Sequence, residues 1–335
     1  MNVHPVGSKT PEETAFALRT AVEAAVHAPS VHNTQPWAFT IEDGEIRLDA
    51  DPDRGLRVGD PAGRELLISC GAALLNVRLT LLKLGYEPQV RVLPDPDRPS
   101  LLATVRIGGQ APSDEHTRLL HAQIERRRTH RAGFTDLPVP ERLIEALVAQ
   151  ASAEGARLAP VRSEASVRVL AALTCAAQDV QAQDRVSGLE VVRWARPPGS
   201  SRRDGVPAQA YPRATGRTDP LFAQRDYARG HPWGHAADQF AATSAGVVAV
   251  LTTPGDSREA WITAGQALQR VLLHAFAYGV SAAFHTQALE MFHLREFLRQ
   301  ELCSGEYPQM IMRLGFTFDD TPGVRRPVSE VLQER

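Results

Sequence analysis

The stretch CGAALLNVRLTLLKLGY, from Cys70 to Tyr86, has the pattern of an apolar helix ended by a glycine. A second stretch, AGQALQRVLLHAFAYGV from Ala264 to Val280, aligns with it without gaps. The identical pairs are Gly71 and Gly265, Ala73 and Ala267, Leu74 and Leu268, Val77 and Val271, Leu79 and Leu273, and Gly85 and Gly279. Two unrelated buried helices that end in glycine would share some letters. The common period and the common stop instead favour a duplication, with the two helices packed together as a central pair.

The length and composition are those of an ordinary globular protein. It has 335 residues, 43% of them hydrophobic, which suffices for two domains or one large one. The net charge of -2 shows no excess of basic residues, so nucleic acid is not an expected partner. The three cysteines are far apart and show no CxxC spacing, which argues against a disulfide framework or a cysteine-based metal site.

Two further observations bear on location. The first residues, MNVHPVGSKTPEE, lack the basic start and apolar core of a signal peptide. No run approaches 18 apolar residues, so the sequence predicts no membrane span. We therefore expect a cytoplasmic protein.

Helix and strand patterns are mixed along the chain, and some strands are joined as hairpins. Thr10 and Glu13 have the spacing of a capping box at the start of the first helix. Helices are predicted over residues 11–28, 64–84, 114–131 and 259–278 and from near Pro140, and strands over 37–41, 45–50, 88–93, 101–109, 245–252 and 309–316. This order fits an α+β fold better than a regular doubly wound sheet.

The segment from about Val186 to Gln239 differs in character. It is rich in Arg, Pro and Gly and shows little periodicity, and a loop of this length is usually functional or disordered. Aromatic residues are scarce in disordered chains, so Trp194, Tyr211 and Tyr227, among others, argue for order. We expect an ordered insertion that lies over another part of the protein.

Two polar segments stand out as candidates for chemistry. APSVHNTQPWAF, from Ala28 to Phe39, carries more polar and backbone-breaking residues than the end of a helix needs. IERRRTHRAGF, from Ile124 to Phe134, clusters arginines beside a threonine. Such an arginine run is often only a solvated helix face. Arg is also the residue best suited to a phosphate dianion, because its planar fork offers charge and several directed donors.

These segments resemble two motifs of the FMN-dependent nitroreductases. RRTHRAGFTDLPVP is similar to that family's opening arginine motif, and APSVHNTQPW is similar to its Pro-Ser-x-x-Asn-x-Gln-Pro-Trp motif. In the family both motifs occur in one subunit in the opposite order, and a homodimer forms two flavin sites across its interface. Here the order is reversed and each motif occurs once.

Together with the internal repeat, the resemblance implies a nitroreductase-like α+β fold made of two tandem halves. Each half is expected to contain a mixed sheet with packed helices, and the two form a pseudo-dimer within one chain. The halves are residues 1–112 and 113–335, and the second carries the insertion of about 186–239. The arrangement resembles the Acg-type subgroup, fused proteins with one flavin site and a covering lid.

The resemblance also implies which residues of the first half contact the flavin. Pro29, Ser30 and Asn33 are placed against FMN that the second half holds. For Gln35, Pro36 and Trp37 we expect a structural role, with a buried tryptophan that locks the loop.

In the second half, the positions that match the family's phosphate, ribityl and pyrimidine contacts are Arg127, Arg128, Thr129 and Arg131. GVRRPVSEV, from Gly323 to Val331, is similar to a basic segment of the family that precedes a proline. It implies that Arg325 or Arg326 reaches the phosphate, and both alternatives stay open.

The segment GVSAAFHTQ, from Gly279 to Gln287, lies where backbone N–H groups in the family approach the reactive flavin nitrogen. Phe284, His285 and Thr286 are the candidates, through their main chain. The family usually has glycine here, so the sequence does not identify the donor. No side chain is assigned a catalytic role, because the flavin carries the chemistry.

Three hypotheses for function follow. The first is an oxidoreductase that passes electrons from NAD(P)H through FMN to a small acceptor, a nitroaromatic or a quinone. The second is a protein that sequesters FMN beneath its lid with little reductase activity. The third is a scaffold without a cofactor. The fused chain is expected to complete its flavin site as a monomer, although a homodimer through another surface is compatible with the sequence.

Overall fold

The computed structural model describes residues 10–213, 218–235, 243–318 and 321–334. Most of the segment considered for a signal peptide, residues 1–9, and parts of the insertion, residues 214–217 and 236–239, lie outside the described residues. The fold is α+β, as the sequence predicts.

The first half contains a strand hairpin, a long helix and a second hairpin. The predicted capping box is present at the start of its first helix, where the Thr10 side chain accepts from the Glu13 N–H. The elements are α1 (Pro11–Ala25), β1 (Trp37–Glu42), β2 (Glu45–Ala50), α2 (Arg64–Lys83), β3 (Tyr86–Val92) and β4 (Leu101–Gln110). Its strands are ordered β1-β2-β4-β3, and all of these pairs are antiparallel.

The second half repeats this arrangement with insertions. Its elements are α3 (Glu115–His121), α4 (Glu141–Ser152), β5 (Arg157–Pro160), α5 (Glu164–Gln183), α6 (Arg185–Trp194), β6 (Ala195–Arg196), β7 (Val206–Pro207), β8 (Val247–Thr253), α7 (Arg258–Ala277), β9 (Val280–Phe284), α8 (Phe292–Glu301) and β10 (Tyr307–Phe316). The main sheet has the order β5-β8-β10-β9, again antiparallel throughout. In both halves the long helix joins the second strand to the third. This shared topology supports the duplication inferred from the helices.

Helices α2 and α7 pack together as the expected central pair. The contact is close because both positions are glycine: a Cβ at Gly71 would lie 2.2 Å from the Ile262 carbonyl oxygen, and one at Gly265 would lie 2.0 Å from that of Ile68. The sequence prediction of this pair is confirmed.

Helix α2 is long and apolar enough to cross a membrane by length and composition alone, although the sequence was expected to contain no such run. In the fold, 89% of its apolar window is buried, as in the core helix of a globular protein. The helix is apolar on all sides because it packs against α1, α7 and the first sheet.

The last strand crosses between the halves. β11 (Leu332–Glu334) pairs in parallel with β1, with Leu332 beside Phe39, so it belongs to the first sheet. This pair makes the first sheet mixed, whereas the described pairings of the second main sheet are all antiparallel. The division at residue 112 therefore separates the repeats in sequence but does not separate the two sheets.

Two segments differ from their predicted structure. The charged helix expected over residues 114–131 ends at His121, because the following chain pairs with β9: the His130 N–H donates to Ala282 O at 2.9 Å. The start of the insertion is not a loop but α6, whose first N–H groups are capped by the Asp184 carboxylate. The rest of the described insertion is ordered around the buried Tyr211 and Tyr227, as expected from its aromatic content.

Candidate functional site

The candidate site is a cavity between the two halves, which encloses about 900 Å³ including its opening to solvent. Its wall brings together the Pro-Ser segment, the start of α2, the Thr129–Arg131 segment, the end of β9 and the insertion. The predicted residues on this wall are Pro29, Ser30, Thr129, Arg131, Phe284, His285 and Thr286. The motifs, about a hundred residues apart in sequence, thus meet at one site.

A smaller cavity continues from the first and is cationic. The two share Pro29, Ser30, Thr129 and Arg131. The smaller one adds three predicted residues, Asn33, Arg128 and Arg325. The combined site therefore has a roomy chamber with aromatic walls at one end and guanidinium groups at the other.

Three guanidinium groups of this cluster are buried or half-buried without an acidic partner in the described part of the chain. Among the residues that the structure describes, Arg127, Arg131 and Arg325 form no ion pair. Burial, followed by neighbouring guanidinium groups, lowers the pKa of Arg127 well below its ordinary value and that of Arg325 to about 10. The buried Nε atoms of Arg127 and Arg325 have no hydrogen-bond partner there. Uncompensated charge of this kind is stabilised by a bound anion.

Arg127 stands behind the cavity rather than on its wall. Its side chain is 2% exposed, and its Nη2 donates to the His27 carbonyl at 2.8 Å while Nη1 donates to Thr129 Oγ1 at 3.3 Å. It ties the arginine segment to the end of α1. Of the four residues expected from the resemblance in this segment, Arg127 is therefore the one that does not line either cavity.

Asn33 is also engaged by the protein. Its Nδ2 donates to Gly205 O at 2.9 Å and to Val324 O at 3.2 Å, and its Oδ1 accepts from Arg325 Nη1 at 3.2 Å. Asn33 therefore joins the Pro-Ser segment, the insertion and the C-terminal segment, instead of directing its amide at a ligand. Trp37, as expected, is fully buried.

The structure separates Arg325 from Arg326. Arg325 lines the smaller cavity, whereas Arg326 lines neither cavity. The Arg326 backbone N–H donates to Gln35 Oε1 at 2.8 Å, and its guanidinium pairs with Glu330 at 3.2 Å. Of the two alternatives, Arg325 is therefore the one that lines the candidate site.

The main-chain N–H groups of Phe284 and His285, at the end of β9, point in opposite directions. The His285 N–H is used by the sheet, where it donates to Ile311 O at 3.0 Å. Because successive N–H groups of a strand point to opposite edges, the Phe284 N–H faces away from β10, on the side of the Thr129 segment. The position expected for a main-chain donor is therefore better filled by Phe284 than by His285.

The His285 imidazole has a structural role. Its Nε2 accepts from Arg313 Nε at 2.8 Å, since a guanidinium can only donate, and its Nδ1 then donates to Ala223 O at 3.1 Å. Burial and the charge of Arg313 lower the pKa of His285 well below its ordinary value. The ring is thus held neutral and fixed.

The insertion forms the roof of the larger cavity, and sequence analysis did not identify its lining residues as site residues. Tyr211, Gln224, Arg225 and Tyr227 all face the space. The Tyr227 hydroxyl hydrogen-bonds His32 Nδ1 at 2.8 Å, and the buried Gln224 Nε2 has no described partner. The aromatic content of the insertion was the signal available, but it did not indicate which rings face inward.

Glu65, in the first turn of α2, is a second residue that sequence analysis missed. It is 3% exposed and lines the larger cavity. Its Oε1 accepts from Arg64 Nη2 at 2.9 Å. Burial, and then the charge of Glu290, raise the pKa of Glu65 to about 8.

Comparison with known proteins places the chain among related sequences. The family model described as the nitroreductase family matches residues 124–316. The Mycobacterium tuberculosis protein named "Putative NAD(P)H nitroreductase Rv3131" is 34% identical over 345 residues, which span 98% of this chain and 94% of that protein. The "Putative NAD(P)H nitroreductase acg" of the same organism is 28% identical, over 96% of this chain and 97% of that protein.

Among solved structures, the chain is similar to the FMN-dependent nitroreductase NfnB from Mycobacterium smegmatis, determined in complex with NADPH. The two are 21% identical, with a TM-score of 0.37, over 64% of this chain and 97% of that one.

Proposed function

The chain belongs to the nitroreductase family, and we propose that it is a flavoprotein oxidoreductase that binds FMN. It would take electrons from NAD(P)H and pass them to a small oxidised acceptor, a nitroaromatic or a quinone. The observation that carries this proposal is the guanidinium cluster beside a cavity with aromatic walls. A phosphate-bearing aromatic cofactor fits both ends of that site.

The residues present suit FMN. Arg128, Arg131 and Arg325 would hold its phosphate, with Arg127 and Asn33 positioning the walls. Thr129 and the Pro29–Ser30 backbone would flank the ribityl chain, and the Phe284 N–H would approach the ring system. The bound cofactor supplies the hydride chemistry, and the protein supplies orientation and exclusion of water.

A specific observation favours flavin sequestration as the second candidate function. Tyr211, Arg225 and Tyr227 cover the larger cavity, and Tyr227 is joined to His32 on the opposite wall. A nicotinamide must stack where this roof lies, so a roof that stays closed would keep FMN bound and unreactive.

Absorbance decides among the hypotheses. Purified protein, supplied with FMN if it is colourless, is titrated with NADPH without oxygen. A yellow protein that bleaches is an oxidoreductase, and a yellow protein that bleaches only on photoreduction sequesters flavin. Protein that retains no FMN would contradict both and leave the scaffold hypothesis.

Two further properties belong to the proposal. Since both halves of one chain line the site, a monomer would suffice for FMN binding, with any homodimer formed through another surface. We also propose a cytoplasmic location, where NAD(P)H is supplied.

A further inference from the structure

We propose that Glu65 donates the proton that a quinone acceptor takes up when it also receives hydride. This inference rests on the proposed oxidoreductase function and deepens it by naming the residue that completes acceptor reduction.

The placement of Glu65 is the first support. Its carboxyl is buried at the N-terminal end of α2, on the wall of the larger cavity that also contains Phe284 and Thr286. A substrate that stacks on a cofactor ring bound in this cavity would lie in the same enclosed space as Glu65. Two other acids lie in this region, Asp60 and Glu290, and neither lines the chamber. Glu290 is paired with Arg225 and accepts a hydrogen bond from the Thr286 hydroxyl.

The charges around Glu65 come from three segments. Arg64 lies beside it on α2, and Asp60, in the preceding loop, accepts from the Leu66 N–H at 2.9 Å. Arg225 of the insertion and Glu290, which follows β9, lie opposite as an ion pair. Burial and the negative charges of Glu290 and Asp60 raise the pKa of Glu65, and the positive charges of Arg64 and Arg225 lower it. The resulting pKa is about 8.

A pKa of about 8 would leave this carboxyl protonated at neutral pH in spite of its contact with Arg64, and it lies close to the value that favours proton transfer. The neighbouring groups are less suited. The pKa of His32 lies well below its ordinary value because of burial, so that ring carries no extra proton. Burial raises the pKa of Tyr227, which holds its proton more tightly. His130 and Arg131 line the same chamber, and His130 Nε2 is hydrogen-bonded to the Gly133 carbonyl.

The acceptor step needs hydride and one proton. A quinone would receive the hydride, which is two electrons and one proton, from the reduced cofactor that the site is proposed to hold, and that cofactor would be oxidised. The O–H bond of Glu65 breaks and a new O–H bond forms on the quinone oxygen, giving the hydroquinone. Glu65 remains as a carboxylate beside Arg64 and Arg225, and solvent returns its proton through the cavity mouth.

The internal repeat supplies a matched control. Arg64 and Glu65 precede Gly71 by the same spacing with which Arg258 and Glu259 precede Gly265. Glu259 also begins a helix but is exposed to solvent. The burial of Glu65 is therefore not a consequence of its position in the repeat.

The test compares Glu65→Gln with Glu259→Gln in FMN-loaded, photoreduced protein, so that it does not depend on the nicotinamide donor. Reoxidation is measured by stopped flow with a quinone, which needs a proton, and with ferricyanide, which takes single electrons and needs none. Glu65→Gln should slow quinone reduction roughly hundredfold, within the range of a general acid. Ferricyanide rates, and both rates of Glu259→Gln, should stay at wild-type values.

A spectroscopic readout is independent of turnover. The infrared band of a protonated carboxylic acid at pH 7 should be present in wild-type and Glu259→Gln protein and lost in Glu65→Gln. In the wild type, the ratio of quinone to ferricyanide rate should fall as pH rises through about 8. This measurement needs no variant, so it applies even if Glu65→Gln does not fold.

Several results would overturn the inference. These are an unchanged quinone rate in Glu65→Gln, an equal loss with both acceptors, a carboxylic acid band that persists in that variant, or a rate ratio independent of pH. Failure of the proposed function would look different, since the wild type would then bind no FMN or fail to bleach with NADPH.

Discussion

The Tyr227 hydroxyl and His32 Nδ1 lie 2.8 Å apart, joining the roof of the larger cavity to its opposite wall. Tyr227 belongs to the insertion, and His32 belongs to the Pro-Ser segment in a left-handed conformation with φ of 44°. Their contact therefore connects the two parts of the site that would have to separate for a nicotinamide to enter.

Tyr227→Phe removes this bond and keeps the ring. One hydrogen bond contributes about 0.5–1.5 kcal/mol, so reduction by NADPH and dissociation of FMN should both accelerate, by roughly twofold to tenfold. Stopped-flow bleaching and dialysis measure the two rates. If neither changes while the variant remains folded, the roof does not limit access.

The proposed phosphate site can be tested by replacing Arg325 and its neighbour Arg326 and measuring FMN affinity. Arg325→Ala should weaken FMN binding by roughly tenfold to hundredfold, the cost of one charge-assisted contact of about 1.5–3 kcal/mol. Arg326→Ala is the matched control, because its guanidinium pairs with Glu330 outside both cavities. Fluorescence titration of FMN gives both affinities. A larger loss in the control would reverse the assignment.

The stoichiometry follows from the single copy of each motif. Saturation should occur at one FMN per chain, because the site needs both the Pro-Ser segment and the arginine segment. Affinity should not change on dilution through any transition from dimer to monomer. Two flavins per chain, or release of flavin as subunits separate, would contradict the proposal that one chain completes its site.

The sequence predicts the structure correctly where local signals determine it. The central helix pair followed from periodicity and glycine stops, and the two motifs were identified by their resemblance to a known family. The predictions were wrong where tertiary contacts decide the structure. The arginine run has good helix propensity, yet the helix ends in turns before it, and the chain then pairs with β9 through the His130 N–H and Ala282 O.

Two further points that the sequence left open or did not indicate have a similar cause. Arg325 and Arg326 are identical side chains on consecutive positions, and only the contacts of Arg326 with Gln35 and Glu330 decide which one faces the cavity. An acid in the first turn of a helix is ordinary, because it complements the helix dipole. Glu65 therefore carried no sequence signal of its burial.

Asp204 should anchor the insertion. Burial would raise its pKa, but hydrogen bonds from Arg202, Arg54 and Arg196 outweigh burial and hold it well below the ordinary value. Arg54 belongs to the first half and contacts Asp204 at 2.5 Å. The stabilisation is present above the unfolded pKa of about 4 and is lost as pH falls further.

Asp204→Asn should therefore loosen the insertion at pH 7. Breaking a buried ion pair costs about 3–5 kcal/mol, and limited proteolysis should cut the insertion faster in this variant. Asp97→Asn, at an exposed carboxylate between β3 and β4, serves as the control. Equal cleavage rates in the two variants would show that other contacts hold the insertion in place.

The central helix pair gives the last prediction. Alanine at Gly71 would gain about 1 kcal/mol of helix propensity. Its Cβ, however, would meet the Ile262 carbonyl at 2.2 Å, and a backbone atom cannot rotate away. Forcing α2 and α7 apart should cost about 1–3 kcal/mol net, lower the denaturant midpoint and weaken FMN binding, since both helices carry cavity residues.

Gly255→Ala is the control, because nothing lies within 4 Å of its Cβ position and its φ is not in the left-handed region. A Gly71→Ala midpoint equal to that of the control would mean that the helices can separate at no cost, and the close contact would then not set the geometry of the site.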